Sequence, residues 1–364
     1  MPASPAILAI DAGGTFFKSA LVLPSGEILA GSLRSAPVDS QGAAAGVIAA
    51  YAGVLKNALA DAAAAGLRVA AVGVSTPGPF DYENCTSLMT HKFAAIRGVN
   101  LRDALGGAVP EIRGVPLRFF SDANVFMLGE QRRGAARGHA NAVGVTLGTG
   151  VGFGCMAGGK ILDNGRGGPF VVIFKLPCRD GILEDYVSAR GIVRLFNEKL
   201  SEGAGSSYRV REFIPAFDGG IHPAAAGENG VAGGEINFAV KSGDESPHSK
   251  TNSAPSLDAA GIAALARQPE TTVGSAAARA AFSEAGALLG ETLRPVLREL
   301  APTCLVAGGQ ISKSFDLFGG ALRDALGGGE RLLVTAAQNP GTAALLGAAD
   351  AVSGDYMKLL EKRN

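Results

Sequence analysis

With 364 residues, 47% hydrophobic and 18% charged, the chain is too long for one small module and too apolar for a disordered one, so two lobes or one large α/β unit are expected. Thirty-three basic and 33 acidic residues cancel, which excludes the one-signed field of a nucleic-acid or anionic-membrane binder and favours a small neutral or anionic ligand. No apolar run approaches the roughly 20 residues that cross a bilayer, and MPASPAILAID lacks the basic lead of a secretion signal, so a cytoplasmic protein is expected.

In chain order, AILAI at 6–10 predicts a buried strand ending at Asp11. The turn AGGT leads into a second strand, FFKSALVL, and PSG at 24–26 into a third, EILAGSL at 27–33. Residues 41–66 place Val47, Ile48, Tyr51, Val54, Leu55 and Leu59 at helical spacing, ending at Gly66. VAAVGVS at 69–75 is a strand stopped by TPGP, and the order βββαβ is complete by residue 80. Residues 81–115 show no clean period apart from a short helix at 100–107 capped by Asn100. LRFFS at 117–121 is a strand, and Asp122 starts a helix.

NAVGVTLGTGVGFGCMAGGKIL at 141–162 repeats the opening pattern of strand, glycine-and-threonine turn, strand. Residues 201–256 shift to Gly, Ala, Ser and Pro and read as a loop-rich insertion. A long helix at 279–300 containing Pro295, a strand at 303–309, a helix at 311–327 and a mostly helical end complete the chain. The 52 glycines follow no period, which excludes collagen and solenoid repeats. Cys85, Cys155, Cys178 and Cys304 have no metal-ligand spacing, and neither do His139, His222 and His248.

Three glycine turns suggest ligand contact. In Asp11-Ala12-Gly13-Gly14-Thr15 the glycines allow backbone N–H groups close to an anion, and the acid beside them suggests a divalent cation held through water. A plain hairpin would explain the glycines but not Asp and Thr together. Gly148-Thr149-Gly150-Val151-Gly152 joins strand to strand, so neither the Walker A loop nor the dinucleotide fingerprint applies. Gly308-Gly309 follows a strand and precedes a helix, where a ligand on bare backbone and tight chain packing are equal readings.

DAGGT at 11–15, DAN at 122–124, LGTGVGFG at 147–154 and LVAGGQIS at 305–312 stand in the order, and at about the spacing, of the ROK sugar kinases, which the chain resembles over most of its length. The resemblance implies a duplicated actin/hexokinase-like (ribonuclease H-like) α/β fold. The first lobe would cover 1–121, completed by a C-terminal helix at about 341–364, and the second would cover 122–340. It assigns ATP phosphates to Asp11, Gly13, Gly14, Thr15, Lys18, Gly148, Thr149, Gly150 and Gly152, adenosine to Gly308 and Gly309, and Mg2+ to Asp11 through water. Sugar falls to Gly78, Ser121, Asp122 and Glu184. Asp122, which could simply cap its helix, matches the family's general base.

The pattern also departs from the family. Ser121 stands where Asn is usual, Pro169 and Val172 stand near the places of a Glu and a His, and Pro177 and Ile182 take cysteine positions, so no structural zinc is expected. Asn84, His91 and Lys92 could supply new contacts or be solvated loop residues. The expected activity is ATP-dependent phosphorylation of a hexose or aminosugar at its 6-hydroxyl, glucokinase-like. A non-catalytic or transcription-regulating sugar-binding member is the alternative. A helix-turn-helix is not expected ahead of Asp11, and pairing into a homodimer is left open.

Overall fold

The computed structural model describes residues 3–203, 257–328 and 331–353. Most of the 201–256 insertion, with His222 and His248, and the chain beyond 353 lie outside the described residues.

Strands β1 (Ser4–Ala12) and β2 (Phe16–Val22) form the expected antiparallel hairpin. The third strand is not EILAGSL. Only Ile28 bridges back to Val22; Gly31 then adopts φ +77°, and the Ser32 hydroxyl donates to the Leu29 carbonyl at 2.7 Å and accepts from the Leu21 N–H at 3.1 Å. The chain therefore bulges off the sheet and rejoins it as β3 (Arg34–Pro37), whose ladder runs from Phe16–Pro37 to Ser19–Arg34. A short edge strand carrying charge and proline resists pairing with another chain.

Helix α1 (Ala44–Ala64) buries Val47, Tyr51, Val54 and Leu55 and ends with Gly66 at φ +68°, its N–H bonded to the Ala63 carbonyl. Contrary to the sequence expectation, α1 is by length and composition apolar enough to cross a bilayer, because alanines fill its outer face. Its large side chains join the lobe core. β4 (Leu67–Thr76), the two-residue pair β5 (Phe80–Asp81) and β6 (Thr86–Ser87), and α2 (Leu101–Ala108) follow. The Asn100 side chain accepts from the Asp103 N–H at 3.1 Å, as its capping position predicts. β7 (Leu117–Ser121) completes a sheet ordered β3-β2-β1-β4-β7, with β1, β4 and β7 parallel.

Helix α3 (Asp122–Arg133) leads to β8 (Ala142–Leu147), β9 (Val151–Ala157) and β10 (Lys160–Leu162). The hairpin β11 (Pro177–Cys178) and β12 (Gly181–Ile182) precedes α4 (Glu184–Val187), α5 (Ala189–Gly203), α6 (Ala259–Ala266) and α7 (Ser275–Leu300), with Pro295 inside α7. β13 (Cys304–Gly308), α8 (Phe315–Ala325), β14 (Leu333–Ala336) and α9 (Ala343–Val352) end the described chain. The second sheet is ordered β10-β9-β8-β13-β14 with β8, β13 and β14 parallel, the same topology as the first. The fold is the duplicated actin/hexokinase-like α/β fold.

Between the sheets, α3 and α9 pack with backbone against backbone. A side chain at Gly129 would meet the Ala343 carbonyl and one at Gly347 the Val125 carbonyl, so glycine alone permits the crossing. Glu130, fully buried, accepts from the N–H groups of Ala135 (2.7 Å), Gln338 (3.1 Å) and Asn339 (2.8 Å). Three charge-assisted bonds offset the cost of burying that carboxylate. Together with the Arg133–Asp350 ion pair, they fix α9 to α3 and to the face of the first sheet.

Candidate active site

The parallel strands of the first sheet end side by side, and the sheet register brings their last residues together. Asp11 on β1 pairs with Ser75 on β4, and Thr76 on β4 with Ser121 on β7. Carboxyl ends of parallel strands are the usual place for a ligand in such sheets. The Ser75 hydroxyl donates to Asp11 Oδ1 at 2.8 Å. Burial holds the Asp11 carboxyl above the usual range, opposed by Ser75 and by Lys18, its cross-strand neighbour on β2. In the turn itself the Gly13 N–H is shared between the Asp11 and Phe16 carbonyls. The N–H groups of Gly14 and Thr15 and the Thr15 hydroxyl have no partner among the described residues, and Thr15 is exposed.

Asp122 opens α3 directly after β7, and its Oδ1 accepts the Ala123 N–H at 2.7 Å. Burial pushes its pKa up to about 6; the charge of Asp11 adds to the rise, while the Ala123 N–H and Lys92 oppose it. The Tyr82 hydroxyl, buried near Asp122, is also pushed up, chiefly by burial. Two glycines of β9 set the position of α3. A side chain at Gly154 would strike the Ala123 carbonyl, and one at Gly152 the Thr146 hydroxyl and the Ala123 methyl. The first turn of α3 therefore lies flat on β9, next to the second glycine turn. Gly152 thus has a packing reason of its own.

In that second turn the Gly148 N–H bonds the Gly150 carbonyl at 3.0 Å, and the Ala189 N–H bonds the Gly148 carbonyl at 2.8 Å. Thr149 and Gly150 keep N–H groups without a partner among the described residues, on a surface where Thr149 is exposed. Glu184, at the start of α4, reaches back to this turn: its Oε2 accepts the Val151 N–H at 3.0 Å and its Oε1 meets Arg190 at 3.3 Å. Gly308 faces the Phe126 ring, and Gly309, at φ +84°, faces the Leu147 carbonyl. Both glycines thus have a packing reason.

Gly78 lies in the turn after β4, within 3.6 Å of the Tyr82 hydroxyl when a Cβ is placed on it. Ser121 is buried beside that same hydroxyl. Where a Glu and a His would be expected, Asn164 Oδ1 instead accepts the N–H groups of Arg166 (3.0 Å) and Gly168 (3.1 Å). The Asn124 amide donates to the Gly167 and Gly168 carbonyls at 3.4 Å, and Pro169 bridges to Asp163. Val172 is exposed. Asn84 is committed to Asp81, its amide 2.9 Å from Asp81 Oδ2, and the His91 carbonyl accepts from Gln41.

At the position of the family's cysteine cluster, the β11–β12 hairpin is held by Arg179–Glu284 and Tyr186–Asp180 contacts and by the Arg194 guanidinium 4.5 Å above the Tyr186 ring. All four cysteines are free and buried, and no three His, Cys, Asp or Glu side chains group together among the described residues. Sequence motifs thus led to Asp11, Asp122 and the two turns. Ser75 and Tyr82 were missed because they reach the site through strand register and a loop, not through a motif.

The ROK family model matches residues 7–229. A glucokinase of Thermotoga maritima is 33% identical over 201 residues, covering 53% of this chain and 60% of that protein. A glucokinase of Halalkalibacterium halodurans is 31% identical over 204 residues, covering 53% and 59%. The chain thus spans about 60% of the length of these curated relatives. A crystal structure of a ROK family glucokinase from Streptomyces griseus, in complex with glucose and AMPPNP, superposes with a TM-score of 0.68 at 24% identity over 95% of this chain and 99% of that one. A ROK family transcriptional regulator, a homologue of the Escherichia coli MLC protein, gives 0.71 at 17% identity, over all of this chain and 81% of the other.

Proposed function

The chain belongs to the ROK family, and from that premise we propose that it is an ATP-dependent carbohydrate kinase acting on a hexose or aminosugar at its primary 6-hydroxyl. The observation that carries the reading is the position of Asp122. It stands at the carboxyl ends of the parallel strands, within reach of Asp11's charge, and α3 places it beside the second glycine turn. The names of the relatives, glucokinase and N-acetyl-D-glucosamine kinase, support the substrate class.

In this reading Asp122 accepts the hydroxyl proton as the sugar oxygen bonds to the γ-phosphorus and the bond to the β,γ-bridging oxygen breaks, releasing ADP. A carboxyl with a pKa of about 6 is ionised at neutral pH and still basic enough to hold a proton. The open N–H groups of Gly14, Thr15, Thr149 and Gly150 bind phosphate oxygens, and Lys18 adds charge. Asp11 suits Mg2+, which takes one or two carboxylates and otherwise waters and phosphates. A half-buried acid within range of a second acid's charge, offset by Ser75 and Lys18, fits a site completed by a cation. The metal supplies charge neutralisation on the phosphates. Gly308 and Gly309 border the adenosine, and Gly78, Ser121 and Glu184 the sugar. We place the activity in the cytoplasm.

The alternative is a sugar-binding member without transfer, favoured by Pro169 and Val172 standing where polar sugar contacts are usual. A sugar panel scored by coupled ADP release separates the two. Turnover on at least one sugar, reduced about 10²–10⁴-fold in Asp122→Asn, supports the kinase. Absence of sugar-dependent ADP release from the native chain refutes it.

A further inference from the structure

One cation beside the site has no role in the scheme above. Lys92 is half-buried in the segment between β6 and α2, and it has neither an ion pair nor a side-chain hydrogen bond among the described residues. Its stem lies along the first glycine turn: a Cβ placed on Gly14 would sit 3.5 Å from Lys92 Cδ and 3.7 Å from Cε. Its charge is also felt at Asp122, where it opposes the rise in pKa. The Lys92 stem therefore lies against the proposed phosphate turn, with its charge in electrostatic range of the proposed base.

The segment is built to hold it there. The Phe93 N–H bonds the Ser40 carbonyl at 2.7 Å, and the Gln41 amide donates to the His91 carbonyl at 2.8 Å. Phe93 and Met89, both buried, anchor the chain on either side, with Phe93 stacked near Phe17 at 5.9 Å. A cation with no ion pair among the described residues, held beside a turn with open N–H groups, is available to an anionic ligand.

We propose that Lys92 grips the terminal phosphoryl group of the nucleotide as it passes from the first glycine turn to the hydroxyl at Asp122. This rests on the kinase reading and names a contact that reading lacks. Lys92 keeps its proton throughout and neutralises charge on the non-bridging oxygens while the sugar proton goes to Asp122 and the bridging electrons go to ADP.

Lys92→Met retains the stem that lies on Gly14 and removes only the charge. In an Asp122→Asn background, where transfer is suppressed, calorimetry with MgATP and MgADP should show the preference for ATP over ADP falling about tenfold, the worth of one charge-assisted bond. With Asp122 intact, Lys92→Met should lower kcat about 10²-fold with sugar KM unchanged, and Lys92→Arg should recover most of that loss. Three results overturn the proposal: unchanged MgATP affinity, equal loss of MgATP and MgADP affinity, or a rise in sugar KM with kcat retained, which would move Lys92 to an acidic sugar. A native chain that binds both nucleotides but turns over no sugar sinks the kinase reading alone, and the ATP-to-ADP ratio then decides for Lys92. Failure to bind either nucleotide sinks both.

Discussion

The two glycine turns close equivalent hairpins, yet only the first has charged residues at its base. Counting back from the last ladder pair, Ala12–Phe17 in the first sheet and Leu147–Val151 in the second, the next rung is Asp11–Lys18 in one and Thr146–Gly152 in the other. The topology is duplicated and the chemistry is not. A physical reason lies in α3: its first turn rests on Gly152 and Gly154, so a lysine at 152 would push away the helix that carries Asp122. The second turn receives a carboxylate from outside instead, through Glu184. Duplication therefore provides two backbone cradles, and asymmetry at one rung decides which of them also carries a metal-compatible acid.

The widest gap between the turns should appear on removing their polar side chains. Asp11→Asn should reduce kcat about 10²–10³-fold, the range for losing one electrostatic partner of the transition state, and should raise the Mg2+ concentration needed for half-maximal rate. Thr149→Ala, which leaves the backbone N–H groups in place, should cost less than about tenfold, near one neutral hydrogen bond. Steady-state ADP release at saturating sugar measures both. Equal losses would mean that the second turn bears as much charge chemistry as the first, and the asymmetry argument would fail.

Motif and period made much of this legible: LRFFS matches β7 at both ends, Asn100 caps α2, and Gly66 ends α1. β3 was not legible, because RSAP has no alternating pattern and joins the sheet only after Ser32 ties down the bulge. The site divides in the same way. Asp11 and Asp122 stand in motifs, whereas Ser75 arrives through the register of β1 and β4; Lys92 is already a candidate contact in sequence, and the anchoring of its loop to Ser40 and Gln41 sets where it lies. Glycines can carry two messages at once. Gly308 and Gly152 read as ligand contacts in sequence, and in three dimensions each also makes room for a neighbouring side chain or helix.

The pH response should locate the charge asymmetry. Asp122, pushed up to about 6 mainly by burial and further by Asp11, must be ionised to act as base. The rate should therefore be flat above that value and fall about tenfold per unit below it. Stability runs the other way. The folded pKa lies above the unfolded value of about 3.9, so the folded state binds this proton more tightly. Asp122 thus lowers stability at neutral pH, and that cost is relieved as pH falls through 6 toward 4. Asp122→Asn should raise Tm at pH 7.5 by a few degrees and by about half as much at pH 5. A variant no more stable at pH 7.5 than at pH 5, relative to the native chain, would contradict a buried carboxylate.

The smallest contrast is steric and tests the two cradles directly. A methyl group added at Gly13 would sit 2.8 Å from the Phe16 carbonyl oxygen, and one at Gly150 would sit 2.9 Å from Glu184 Oε2. The distances match but the obstacles do not. The Phe16 carbonyl is part of β2 and also accepts the Gly13 N–H, so it can retreat only if the hairpin shifts. The Glu184 carboxylate ends a flexible side chain that can swing toward Arg190, giving up one bond to the Val151 N–H. Neither glycine has a positive φ, so the backbone itself accepts alanine at both sites. Gly13→Ala should therefore cost about 1–3 kcal/mol, a fall in Tm of roughly 1–4 °C for a chain of this length. Gly150→Ala should cost under about 1 kcal/mol, near the value of the hydrogen bond it displaces. Thermal unfolding of the two single variants measures the difference, and a reversed order would show that the second turn, not the first, is the rigid one.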